Sequence, residues 1–145
     1  MKTKFLLAIA LGLLSICTKA ETIRVSEDVG FNPENSTNFL QFAFDESPDT
    51  VIIDNVGEPW VTGPLFVNTD DIIIILEQGT VLNALAGAYG EFDPMFRIRD
   101  VENVTVLGYG ALIEMNKQEY IDLADSEFRH AFNLGSVVNV RIEGL

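Results

Sequence analysis

Three stretches of the chain repeat one pattern, and that repeat restricts the fold more than any other feature. Each has a short apolar strand, a polar turn and a second, alternating strand. Leu65-Phe66-Val67 turns through residues 68–71 into residues 72–76, and Gly79-Thr80-Val81-Leu82 follows. Phe96-Arg97-Ile98-Arg99 turns through residues 100–103 into Val104-Thr105-Val106-Leu107, and Gly110-Ala111-Leu112-Ile113 follows. Phe132-Asn133-Leu134 turns through residues 135–139 into Val140-Arg141-Ile142. Phe96 to Asn103 and Phe132 to Asn139 are both 7 residues apart, and Phe66, Phe96 and Phe132 recur at intervals of 30 and 36. A period in this range marks a stacked repeat, whose units cannot bury their apolar faces alone. Its unevenness requires a loop to leave the stack in each repeat. The two candidates are residues 83–95, with Gly87, Gly90 and Pro94, and residues 114–129, with five acids and a Tyr120-centred helical turn or two.

Alternation predicts the facing. Phe96, Ile98, Val104 and Val106 share an inner face with Val140 and Ile142, whereas Arg97, Arg99, Thr105 and Arg141 point out. Residues 72–75 are all isoleucine, so two of them must face outward and need cover. Upstream, Ser36 or Thr37 is the expected N-cap of a short helix carrying Phe39, Leu40, Phe42, Ala43 and Phe44 on a broad apolar face. Phe42→Asp is accordingly expected to destabilise the fold by several kcal/mol. Strands are expected at 22–25 and 50–54. Short strands with no helix between them read as all-β.

Residues 1–20 read as a secretory signal peptide. Lys2 and Lys4 form the basic start and residues 5–16 the apolar run. Thr18-Lys19-Ala20 sets small residues at minus three and minus one of a cut after Ala20. The run is too short for a transmembrane helix, and no later segment could span a bilayer. The two-lysine start looks bacterial, so the chain is expected to be secreted or periplasmic. Its one cysteine, Cys17, leaves with the signal. The alternative is a lipoprotein anchored through Cys17, although Ile16 is bulky where that signal wants a small residue. Removal of residues 1–20 takes Lys2, Lys4 and Lys19 and no acid. Six basic residues then face 22 acidic ones, a net charge of −16. With no basic face to release counterions, the charge argues against nucleic acid and anionic membranes as partners. It does not exclude an acidic polysaccharide bridged by calcium or by local arginines.

The run from Val29-Gly30 through the helix, Thr50-Val51-Ile52-Ile53, Gly63-Pro64-Leu65 and Ile74-Ile75-Leu76-Glu77-Gln78-Gly79-Thr80-Val81-Leu82 resembles the start of right-handed parallel β-helix proteins. These are the pectin-lyase-like proteins, including polygalacturonases and pectate lyases. Asn103-Val104-Thr105-Val106 with Gly108 and Gly110-Ala111 is similar to a later coil of that superfamily. The resemblance covers roughly residues 21–145 and is specific for fold rather than reaction. It implies an all-β solenoid, a right-handed parallel β-helix whose N-terminal α-helix caps the open apolar end. The remaining alternative is an antiparallel sandwich of the same strands, although Asn-Gly and Asp-Gly hairpin signals are absent.

The resemblance also implies a polysaccharide partner and a secreted polysaccharide-degrading parent, lyase or glycoside hydrolase, monomeric when full length. The alternative is a non-catalytic adhesin or carbohydrate-binding surface protein. Asn68-Thr69-Asp70-Asp71 looks like a catalytic motif of polygalacturonases, but the partner Gly-His-Gly and Arg-Ile-Lys motifs are missing, and Asn and Asp suit an ordinary turn. Arg129-His130 is the weak catalytic candidate, with His130 the only histidine; the plainer reading is a hydrogen-bonded surface residue. Arg97 and Arg99, about 6.6 Å apart along one strand, are the substrate-binding candidates, able to grip uronate carboxylates. Ion pairs with Asp100, Glu102 or the acidic loop are the structural alternative. No cofactor motif is present. Calcium remains open for the full-length protein, although residues 114–127 lack EF-hand spacing. Asn35 and Asn103 head glycosylation sequons that matter only in a glycosylating host. Because the chain stops at Leu145 inside a repeat, it reads as the N-terminal part of a longer protein. The catalytic residues are expected later and the fragment alone is expected to be inactive.

Overall fold

A computed structural model describes residues 20–123 and 130–145. The signal-peptide reading with Cys17, and the candidate Arg129, lie outside the described residues.

The strands visit three sheets in fixed rotation. β1 (Thr22–Arg24) opens sheet I and is followed by a π-helical turn, Val25–Val29, and helix α1, Thr37–Asp45. β2 (Thr50–Ile53) joins sheet I, β3 (Trp60–Thr62) sheet II and β4 (Leu65–Val67) sheet III. β5 (Ile73–Leu76), β6 (Val81–Ala84) and β7 (Phe96–Arg99) repeat the cycle, as do β8 (Glu102–Leu107), β9 (Leu112–Glu114) and β10 (Phe132–Gly135). β11 (Val138–Glu143) returns to sheet I, and α2 (Lys117–Leu123) lies between β9 and β10. Sheet I runs β1-β2-β5-β8-β11, sheet II β3-β6-β9 and sheet III β10-β7-β4, and every pair is parallel. The fold is therefore all-β with parallel sheets, and the antiparallel sandwich is excluded.

In-register pairing turns the period-two alternation into rows. Val51, Ile74 and Val106 form one buried row of sheet I; Trp60 and Leu82 form one of sheet II; Leu65 and Phe96 form one of sheet III. Phe96 stacks on Phe132 with ring centroids 5.1 Å apart. Each fully buried Leu, Ile or Phe contributes about 1.5–3 kcal/mol. Of the four isoleucines, Ile72 and Ile74 are buried and Ile73 and Ile75 face outward. Ile75 takes lateral cover from Ile52 and Leu107 in the same row, whereas Ile73, between Thr50 and Thr105, is 40% exposed.

The turns between sheets III and I carry a polar row. Asp71, Asn103 and Asn139 all have φ near +57°, at 57°, 58° and 56°, a conformation that Asp and Asn adopt more readily than other side chains. Asn103 Nδ2 donates to Asp71 Oδ1 at 2.8 Å, and Asn139 Nδ2 donates to Asn103 Oδ1 at 2.7 Å. The Asn103 amide of the second sequon is thus already engaged on both sides.

Helix α1 packs on β4, β2 and the π-helical turn. Its N-terminus is not capped by the Ser36 hydroxyl, which bonds the Asn32 backbone; Asn35 Oδ1 accepts the Thr37 N–H instead. Leu40, Ala43 and Phe44 are buried, and Phe44 meets Phe96 edge-on at 6.3 Å. Phe42 is 52% exposed, which corrects its assignment to the buried face. Five apolar residues wrap more of the helix than the sheets can cover, and Phe42 lies about 200° around the axis from both Leu40 and Phe44. In urea denaturation, Phe44→Ala should cost about 3–5 kcal/mol, whereas Phe42→Asp should cost less than about 1 kcal/mol. Equal costs would contradict this helix orientation.

Candidate functional site

The outer face of sheet III brings an aromatic ring, a guanidinium and an amide into one row. Phe66, Arg97 and Asn133 stand in register across β4, β7 and β10. Alternation puts them outside because Leu65, Val67, Phe96 and Ile98 are fully buried inside. Phe66 remains 39% exposed. The Arg97 guanidinium lies 5.4 Å from the Phe66 ring centroid, a cation–π contact worth about 0.5–1 kcal/mol at such exposure. Its Nη2 also bonds Asp93 Oδ1 at 2.9 Å.

Arg99 turns the other way. Its Nε and Nη2 reach Asn133 Oδ1 at 3.3 and 2.9 Å, and its side chain runs across Gly135, where a Cβ would lie 3.2 Å from Nε. Both arginines leave the outer face, but Arg97 leans toward the preceding repeat and Arg99 toward the following one. The ion pair of Arg97 is with Asp93, not with Asp100 or Glu102. Asp93 also accepts the Gly90 N–H at 2.9 Å, so one carboxylate ties the loop before β7 to Arg97.

That loop and the segment around α2 enclose an open cleft of about 650 Å³, lined among others by Gly87, Tyr89, Glu91, Asn116, Glu119 and Asp122. Tyr89 is buried and its hydroxyl donates to the Thr62 carbonyl at 2.7 Å, which anchors the loop to sheet II. The Gly87 N–H donates to a Glu119 carboxylate oxygen, joining the two walls. Among the described residues no three Asp, Glu, His or Cys side chains converge into a group able to hold a metal ion. Asp125 and Glu127 of the acidic segment lie outside the described residues. His130 is exposed two residues before β10, with its carbonyl accepting the Met95 N–H at 3.2 Å.

The Asn68–Asp71 carboxylates are occupied in the turn: Asp70 accepts the Glu102 N–H at 2.8 Å and Asp71 accepts from Asn103. Sequence reasoning reached Arg97 and Arg99 but missed Phe66 and Asp93 as the partners of Arg97. Aligning Leu65-Phe66-Val67 with Phe96-Arg97-Ile98 would have placed Phe66 beside Arg97; Asp93 sits in a loop and carries no such signal.

Comparison with known proteins returns no match to any family model, curated protein or solved structure.

A second polar cluster lies at the end of sheet I. Glu143 accepts from Arg141 Nε at 2.5 Å and from the Tyr109 hydroxyl at 2.6 Å. These two bonds, Arg141 first, hold its carboxyl below the ordinary carboxylate range; the bond to Glu143 raises the Tyr109 phenol. As pH falls from the ordinary range to the lower folded value, the unfolded chain binds the proton first. The cluster's contribution is therefore present above that range and is lost on acidification. A carboxyl NMR titration should find Glu143 low, and Arg141→Ala should move it up. An unmoved titration would deny the pair.

Proposed function

We propose that the outer face of sheet III is the polysaccharide-binding surface of a secreted polysaccharide-degrading protein, lyase or glycoside hydrolase. In this reading the chain forms coils of a right-handed parallel β-helix, with α1 capping one end. What carries it is the in-register row of Phe66, Arg97 and Asn133, flanked by Arg99. The chemistry suits an acidic sugar polymer. The ring edge left exposed at Phe66 offers an apolar contact, the Arg97 guanidinium would exchange its Asp93 partner for a uronate carboxylate, and the Asn133 amide meets hydroxyls. Strands about 4.8 Å apart present these groups at even intervals along the stack. The arginines supply local positive charge on a chain whose net charge after residue 20 is −16. Calcium is the cation that would bridge the remaining repulsion.

Binding is the step that these residues serve. Asp70, Asp71 and Asp93 are each committed to hydrogen bonds within the fold. That leaves sugar binding as the role this row supports. Export through residues 1–20 fits one further observation. The Glu21 N–H lies 2.6 Å from Asp49 Oδ2. A cut after Ala20 would convert it into an α-ammonium paired with that carboxylate, a charge-assisted bond. Mass spectrometry of the exported protein should then find a chain beginning at Glu21; a chain acylated at Cys17 would replace this with the lipoprotein reading.

Calorimetric titration with oligogalacturonates tests the surface. Arg97→Ala should weaken binding about ten- to a hundredfold, the worth of a lost charged hydrogen-bond pair, and Phe66→Ala should weaken it less. Binding that both variants leave unchanged, or no binding by the parent chain with or without calcium, would overturn the assignment.

A further inference from the structure

The guanidinium of Arg97 is only half used. In a planar guanidinium, Nε and Nη2 share an edge that can receive a carboxylate in two parallel hydrogen bonds. Arg99 turns both atoms of that edge on one acceptor, Asn133 Oδ1. Arg97 Nη2 bonds Asp93 Oδ1 at 2.9 Å, but its Nε is buried with no hydrogen-bond partner among the described residues. A buried donor left unpaired carries a desolvation cost that no bond offsets. The second oxygen of Asp93 does not complete the pair, because Oδ2 accepts the Gly90 N–H at 2.9 Å.

Asp93 is held by its own turn. The Asp93 N–H donates back to the Gly90 carbonyl at 3.4 Å, so residues 90–93 close into one unit through backbone and side chain. The close approach depends on glycine, since a Cβ at position 90 would lie 3.0 Å from Asp93 Oδ2. The carboxylate that neutralises Arg97 thus belongs to a turn outside the strands. The two side chains are 30% and 35% exposed, where a single-bonded ion pair is weak.

We infer that Asp93 is a built-in competitor for a carboxylate seat on Arg97, and that the 90–93 turn moves when a ligand carboxylate takes the seat. The inference rests on the reading of sheet III as a uronate-binding surface. A uronate carboxylate brings both oxygens, so it bonds Nε and Nη2 together where Asp93 bonds Nη2 alone. The exchange breaks one hydrogen bond, forms two and satisfies the unpaired Nε. The displaced Asp93 keeps its bonds to Gly90 and leaves with the turn, whose Gly90 and Glu91 line the cleft beside α2. A neutral sugar cannot make the exchange, because a hydroxyl would replace a charge-assisted bond between two ions with a weaker one. Asp93 therefore makes the face selective for a free carboxylate.

Asp93→Asn is the test, since the amide keeps an oxygen for the Gly90 N–H and removes the charge that holds Arg97. Calorimetric titration with an oligogalacturonate should find this variant binding about tenfold more tightly than the unsubstituted chain, the weight of one charge-assisted hydrogen bond. A residue that only props the loop would give the opposite sign. By NMR, the Arg97 Nε–H and Gly90 N–H resonances of the unsubstituted chain should shift together with the oligogalacturonate, and a neutral galacto-oligosaccharide should shift neither. Equal or weaker binding by Asp93→Asn, with Arg97→Ala still weakening it, would overturn the competitor and leave the sheet III surface standing. A Gly90 resonance that stays in place while Arg97 shifts would overturn it too. Binding that Arg97→Ala leaves unchanged, or no binding by either chain, would remove the surface and the competitor together.

Discussion

In-register parallel pairing between equivalent strands of successive repeats is the constraint on which the rest of the structure depends. Because β2, β5, β8 and β11 align residue against equivalent residue, alternation along one strand becomes a row across the sheet. Inner rows such as Val51, Ile74 and Val106 bury one another, and outer rows become surfaces with a repeated chemistry. A slip of one residue would exchange the two sets. The core and the candidate binding face are therefore consequences of the same backbone register.

That register is held at the corners as well as along the strands. Asp71, Asn103 and Asn139 occupy left-handed backbone positions at the same turn of three repeats and hydrogen-bond in series. The same stacking leaves edges that must be closed, because an open row of N–H and C=O groups recruits other strands. At one end the closure is made by side chains and a loop: Gln41 on β4, Asp28 on β1 and Ser36 on β3. Helix α1 thus buries Leu40 and Phe44 in the core and bonds the β4 edge through Gln41.

The sheet III face shows how one outward row varies its side chains without disturbing the core. Phe66, Arg97 and Asn133 replace one another at an outward position where packing imposes little. The long loops leave the stack between sheets II and III, and Asp93 connects one of them to Arg97. Under the proposed function, a sugar polymer along this face would meet the aromatic ring, the guanidinium and the amide in order.

Much of this was legible in the residues alone, because a repeat states its period directly. The recurrence of Phe96 and Phe132 marked equivalent strand positions, whereas Phe66 stands one residue out of that register, beside Arg97; alternation told Phe96 and Ile98 from Arg97 and Arg99. The turn asparagines were visible as turn formers. What tertiary structure decided was everything that depends on which neighbour a side chain meets. Phe42 reads as apolar helix face yet stands exposed, because only the arc through Leu40, Ala43 and Phe44 meets the sheets. Arg97 and Arg99 share a face in sequence but diverge in space, since one finds Phe66 and Asp93 and the other Asn133. Gln41 is unremarked in the sequence and closes a strand edge. Periodicity along one chain is a local property set by backbone geometry, so sequence carries it; the pairing of distant side chains depends on loop lengths and stacking register, which exist only in the folded molecule.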